Sequence, residues 1–353
     1  MKKLLNTIDP IVTMLPGYAN TLSILLQYEA GRQWFLQNYF QCVTIVDNES
    51  DTCYIEFATA LNIGYRSMAH AQPENILSPG IKSVSFPREY IMDYNINIID
   101  LIKYFINNNH YAFMYVSREH ISLHKWSNFT HEMFIYGYDD NNSKLFISDF
   151  FDGNAYSEEQ CGYDEFTNAF AHASKGLYIR DGCFDDLLSS EKVNFIAYDT
   201  SFTYTFSTEK FAEDILFYLN KEKYELNYTP HILHAERKCE IVWGNKYYEV
   251  LDKYYYMQIN FGSVDLRKAC FVRDHKKSLA YKINYLLDKD LLSDIALMET
   301  AKELVALSEQ LVNILIKFNI SGNRNIYKKV TALLSNIKHK EEELLLALHK
   351  ELC

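Results

Sequence analysis

Glycine and proline are scarce in this chain, at 12 and 6 of 353 residues, where ordinary usage is about 7% and 5%. That scarcity excludes collagen-like and Pro/Gly-rich low-complexity architectures. Positive charge is also short: 35 Lys and Arg stand against 46 Asp and Glu, a formal net charge of −11. A surface of that average sign repels a nucleic-acid backbone, and no long basic block offsets it, so no nucleic-acid partner is expected. No uninterrupted apolar run reaches the roughly 18 residues of a spanning helix. Asp9 and Pro10 interrupt Met1-Lys2-Lys3-Leu4-Leu5 before a signal-peptide core can form. The expectation is a cytoplasmic protein with no membrane association. The cysteines Cys42, Cys53, Cys161, Cys183, Cys239, Cys270 and Cys353 are odd in number, scattered and without a CxxC pair. Reduced and mostly buried thiols fit that pattern better than a disulfide framework.

What the chain has in quantity is aromatic side chains: 28 Tyr, 22 Phe and 3 Trp, 15% of the residues. Such a sequence buries a core rather than staying disordered. Its length divides into two domains of roughly 150 residues, and the change of pattern after Tyr178 and Ile179 places them at 1–185 and 186–353. Leu22, Leu25 and Leu26 recur at helical spacing, entered at Pro16-Gly17 and continuing toward Trp34 and Phe35. Residues 61–90, with Pro73, Pro79 and Pro87, read as an irregular excursion. Ile98, Ile99, Ile102, Phe105 and Ile106 form an amphipathic helix capped by Asn95 or Asn97. Residues 111–116, 133–138 and 145–150 then read as strands. The last two flank Asp139-Asp140-Asn141-Asn142-Ser143, the turn of an antiparallel hairpin. In the second half, 193–197 and 203–206 read as extended, 209–219 as helix and 246–259 as strand or aromatic core. Three helices follow to the end, with Gly322 closing the second. The fold class expected is α+β: an N-terminal helix packed on an antiparallel sheet, followed by a mixed, mainly helical C-terminal domain.

The hairpin carries the chemistry. It sets His131 at the start of one strand and Asp149 at the end of the next. A turn centred on Asn141 pairs positions summing to 282, so Met133 faces Asp149 and His131 lies diagonal to it on the same face. Diagonal neighbours are about 7–8 Å apart at Cα, within reach of an imidazole and a carboxylate. This is the geometry a Cys-His-Asp site needs, because the carboxylate orients the imidazole while the other ring nitrogen faces the nucleophile. A histidine simply hydrogen-bonded at a strand end is the alternative.

The run HEMFIYGYDD followed by LFISDFF, preceded by SREHISLHKWSNF, resembles the signature of the butirosin biosynthesis protein H N-terminal domain family. GYANTLSILLQ with WFLQNYFQ resembles that family's first helix, and CFVRDHKKSLAYKINYLL resembles the region that follows its domain. The resemblance implies a papain-like fold and transfer of an acyl or aminoacyl group from an acyl or peptidyl carrier protein to a small-molecule amine, with no cofactor. On it, His131 is the general base and Asp149 its orienting carboxylate. The family's nucleophilic cysteine belongs at the start of the first helix, where this chain has Gly17 and no cysteine before Cys42. Tyr18 and Asn20 beside that position, with His124 and Trp126 ahead of the His131 strand, are the candidate substrate-binding residues. Cys53 is either a displaced nucleophile or a buried structural thiol. Two function classes follow: acyl transfer with a degenerate nucleophile, or a catalytically inactive papain-like module that binds a carrier protein, an acyl-peptide or a hydrophobic small molecule.

The remaining clusters are weaker. His231 and His234 with Cys239 match no zinc spacing and show no fourth ligand, so no metal site is expected. Asp274-His275-Lys276-Lys277 reads as a helix cap followed by solvated cations, or as a basic spot for an acidic partner. The run Lys338 to Glu343 reads as a solvated face of mixed sign.

Overall fold

In the computed structural model the described residues are 1–47, 52–57, 79–124, 130–151, 156–173, 192–220 and 239–353. The chain runs through β1 (Lys2–Leu4), α1 (Pro16–Leu25), α2 (Glu29–Asn38), β2 (Cys42–Asp47), β3 (Thr52–Phe57), β4 (Ile81–Pro87) and α3 (Arg88–Asp93). Next come α4 (Ile98–Asn107), β5 (Tyr111–Ser117), β6 (Thr130–Asp139), β7 (Lys144–Phe150), β8 (Tyr156–Gly162), α5 (Tyr163–Ala171) and β9 (Lys192–Tyr198). The remainder is α6 (Thr208–Asn220), β10 (Cys239–Trp243), α7 (Tyr247–Phe261), α8 (Arg267–Asp288), α9 (Ala296–Ser321) and α10 (Tyr327–Leu352). Helices thus combine with antiparallel sheets in two compact units. One comprises Met1–Arg32 with Gly64–Thr203, the other Gln33–Ile63 with Tyr204–Cys353.

This division departs from a single boundary near residue 185, which lies outside the described residues. Strand β9 pairs with both β4 and β5 and so belongs to the first sheet. Strands β2 and β3 join β10 in a second sheet, which draws residues 33–63 into the second unit. Both are long-range pairings that local pattern does not encode.

The first sheet has the order β4-β9-β5-β6-β7-β8, with β1 also pairing β6. Strand β5 pairs β6 as far as Ile135, and β1 takes over from Gly137 to Asp139. Gly137 makes room for it, since a Cβ there would lie 2.6 Å from the Lys3 carbonyl oxygen. Helix α1 opens with Pro16, suited to the first helical position, and packs against β6, β7 and β9. It ends at Leu25 and α2 starts at Glu29, so the expected continuous helix is two. Helix α4 buries the five predicted residues on the other face of the sheet, where Phe105 stacks on Phe195 at 3.8 Å. Its cap is Asn97, whose side chain accepts from the amides of Ile99 (2.9 Å) and Asp100 (3.2 Å). Asn97→Ala should therefore lower stability by about 1 kcal/mol. Urea denaturation checks it: the midpoint falls while the slope holds, and an unmoved midpoint would show that the cap contributes nothing.

The hairpin register holds at its functional end for an instructive reason. Asp139↔Lys144 and Gly137↔Phe146 sum to 283, one more than the expected 282. A bulge between Ile135 and Gly137 then restores 282 at Ile135↔Ile147 and Phe134↔Ser148. The turn shift and the bulge cancel before the site is reached.

In the second unit, 247–261 is helix α7 rather than strand. Tyr247, Tyr248, Leu251, Tyr254, Tyr255 and Ile259 are its buried residues, a spacing of 3.6 hidden by β-favouring tyrosines. Asp274 is no cap: it lies mid-way along α8, and Asp274, His275 and Lys276 are all buried. The mixed-charge face 338–343 likewise contains Glu341, which is 0% exposed. Gly322 ends α9 in the left-handed conformation, φ +66°, as expected. Among the described residues α9 alone is long and apolar enough to cross a membrane, yet its buried stripe, including Leu304, Leu311, Leu315 and Phe318, belongs to a helix that packs on α8 and α10.

Candidate functional site

Strand β5 pairs β6 through Val116↔His131 and Ser117↔Thr130, so the residue that follows β5 emerges beside His131. That residue is Arg118. A 3-10 turn, Arg118–His120, directs it inward, with Ile121 buried behind it and α5 packed against the turn. Strand β7 brings Asp149 to the same place by the register described above.

Asp149 is 0% exposed and accepts from Arg118 at both oxygens, with Nη2 at 2.7 Å from each and Nε at 3.2 Å from Oδ2. The Phe150 amide adds a bond of 2.7 Å to Oδ1. His124 is also here, its Nε2 3.4 Å from Asp149 Oδ2 and its ring 5.1 Å from that of Phe151. His131 Nδ1 is 2.8 Å from Arg118 Nη2, 3.1 Å from the Glu132 carbonyl oxygen and 3.6 Å from Asp149 Oδ1.

These distances decide the roles. A guanidinium can only donate, and its charge-assisted contact is the shorter one. His131 Nδ1 is therefore an acceptor and the ring proton sits on Nε2. A Cys-His-Asp site needs the reverse: Nδ1–H given to the carboxylate, and a bare Nε2 to take the nucleophile's proton. Arg118 stands where the histidine should meet Asp149.

Electrostatics agree. Burial alone would raise the Asp149 carboxyl, but the Arg118 charge, with the hydrogen bonds that Arg118 and the Phe150 amide donate, outweighs it and holds it below the usual carboxylate range. Burial pushes the His131 ring down to about 4; Asp149 opposes this and Arg118 adds to it. At neutral pH His131 is an uncharged ring and a weak base, far from the match to working pH that proton transfer favours.

The other expected residues are distributed as follows. Tyr18 and Asn20 are buried on α1, which packs on the strands carrying His131 and Asp149. Asn20 Oδ1 accepts from the Tyr156 hydroxyl at 2.6 Å. Tyr156 in turn lines a cavity of about 350 Å³ with Thr7, Ser23, Ser148 and Glu158. Since Ser148 and Asp149 are consecutive in β7, they point to opposite faces of the sheet. Asn20 thus serves the cavity side and His124 the Asp149 side. Trp126 lies outside the described residues, as do Cys183, His231 and His234. Cys53 is buried in β3 of the second unit, near Tyr254 and Tyr255. Burial raises the thiols of Cys42, Cys161 and Cys270, the opposite of activation.

No family model matches this chain, and no curated protein matches it. Its chemistry is therefore argued from the site. Arg118 is the residue that sequence reasoning passed over. Part of the signal was present, since 111–116 and the His131 strand read as neighbours; the register Val116↔His131, which brings position 118 beside His131, is not encoded locally.

Proposed function

We propose that this chain is a papain-like binding module for an acyl ligand, carried as a thioester on a carrier protein or within an acyl-peptide, and not a transferase. The observation that carries this reading is the Arg118 guanidinium placed between Asp149 and His131. It makes His131 a donor through Nε2, suited to an acyl carbonyl oxygen, and withdraws Asp149 from the task of orienting a base. Histidine and aspartate on adjacent strands of an antiparallel sheet support the papain-like part; α1 packs on the Ser148 face, opposite Asp149, so no side chain at its start is offered to the pair as a nucleophile, which supports the non-catalytic part.

Acyl or aminoacyl transfer from a carrier thioester to an amine is the second reading, favoured by the 3.6 Å approach of His131 to Asp149. Intact-protein and native mass spectrometry after incubation with a panel of acyl thioesters and amines separates the two. The binding module retains acyl ligand without forming amide, and His131→Ala loses the ligand. Amide product from the natural chain that disappears in His131→Ala would instead establish a transferase, and a covalent adduct would locate its nucleophile.

A further inference from the structure

The chain carries an acidic excess, yet from 310 to 340 it has no Asp or Glu and six cations: Lys317, Arg324, Lys328, Lys329, Lys338 and Lys340. Lys338 and Lys340 pair with Glu249 and Glu303. The other four are exposed and make no ion pair among the described residues. All four lie around one end of the helical unit, at the finish of α9, the 3-10 turn Arg324–Ile326 and the start of α10.

Two bare apolar side chains share that end. Phe261, the last residue of α7, is 80% exposed, and Ile320, next to last in α9, is 81% exposed. The turns that carry them are tied together: the Val264 amide donates to Asn319 Oδ1 at 2.8 Å, and Asn319 Nδ2 donates to the Val264 carbonyl at 2.9 Å. Tyr256 and Tyr327 pack at 5.1 Å to link α7 with α10. The carboxylates in this region are engaged. Asp252 accepts from Tyr327 and Thr331, and Asp265 pairs with Arg267 and Lys268.

We propose that this end of the helical unit docks on an anionic lipid surface, with Phe261 and Ile320 entering the interface and Lys317, Arg324, Lys328 and Lys329 contacting the headgroups. Charge complementarity selects the partner, since these unpaired cations lie on an otherwise acidic chain. The apolar side chains sit on turns at helix ends, each followed within two residues by a left-handed glycine, Gly262 or Gly322. They project as isolated tips rather than lining a groove. Tips of that kind suit the headgroup–acyl boundary, whereas a protein partner requires a contiguous face of about 800 Å².

Flotation of the full chain with vesicles tests this. Binding is expected to phosphatidylcholine vesicles containing phosphatidylserine, not to phosphatidylcholine alone, and to weaken as salt rises. Lys317→Gln, Arg324→Gln, Lys328→Gln and Lys329→Gln combined should reduce it by about a thousandfold. Phe261→Ser with Ile320→Ser should cost about a hundredfold and leave the salt dependence intact. All six positions are exposed, so circular dichroism should show the variants folded. In Phe261→Trp the new indole should shift its emission to the blue on phosphatidylserine vesicles. The proposal fails if neither vesicle binds, or if phosphatidylcholine alone binds equally. It fails also if the four cations matter only for an acidic carrier protein or single-stranded RNA while Phe261→Trp shows no blue shift with vesicles.

Discussion

Glu341→Leu should be among the most destabilising single substitutions in this chain, costing about 3–5 kcal/mol and lowering the melting temperature of the helical unit by on the order of 10 °C. Glu341 is 0% exposed in α10, and its carboxylate is fully engaged. Lys276 donates to Oε1, while Tyr218 (3.0 Å) and Tyr248 (2.7 Å) donate to Oε2. His275 completes the group: its Nε2 donates to the Phe40 carbonyl at 2.8 Å, which leaves Nδ1 to accept from Lys276 at 2.9 Å. Removing the carboxylate strands a buried ammonium and two buried hydroxyls, and that stranding is the cost. Removing both charges differs, because a buried pair replaced by apolar side chains of similar volume is often near neutral. Lys276→Met with Glu341→Leu should therefore recover most of the loss. If the double variant is as unstable as the single one, the pair is not the source of the effect.

Acid should report the same network. Burial works to raise the Glu341 carboxyl, but the Lys276 charge, with the bonds that Lys276 and the two tyrosines donate, outweighs it and holds it down to about 2, below its ordinary value of 4.5. A carboxyl lowered by folding contributes stability that is present above its unfolded value and lost as pH falls from 4.5 toward 2. The double variant should lack that share of the acid sensitivity.

How much of this was legible depends on whether the information is local. The three strands, the hairpin, the Asn97 cap and the Gly322 stop are set by neighbours within a few residues, and sequence pattern reads them. His131 and Asp149 meet through one hairpin, whose shifted turn and compensating bulge left the expected diagonal intact. The Lys276–Glu341 pair joins helices 65 residues apart, and each partner sits in a charged run that locally looks solvated. Nothing in KEEELL says that its first glutamate is buried. Helix α7 was obscured differently, since five of its first nine residues favour strands by side-chain type while their spacing favours a helix. The division into units rests on β2 and β3 finding β10, far along the chain, which no period reveals.

Arg118→Met should weaken one pH dependence. In the natural chain folding lowers the His131 ring from 6.5 to about 4, chiefly by burial. A histidine lowered in this way contributes stability that is full above 6.5 and is lost as pH falls from 6.5 toward 4. Without the guanidinium, the opposition of Arg118 to imidazolium is gone while the attraction of Asp149 remains, and the buried carboxylate requires a cation. His131 pairs more readily with Asp149 as imidazolium, which lifts its folded value from about 4 toward 6.5. The contribution keeps its sign and shrinks: it is full above 6.5, and less of it is lost as pH falls. At pH 8 the variant holds an uncompensated buried carboxylate and should be about 3–5 kcal/mol less stable; toward pH 5 the deficit should shrink. Titrating the His131 ring by NMR while measuring unfolding at several pH values checks both halves. A ring that still titrates near 4 in Arg118→Met, or a deficit constant from pH 5 to 8, would show that Arg118 does not arbitrate between His131 and Asp149. The proposed binding role would then lose the observation it rests on, because a base oriented by Asp149 would be available after all.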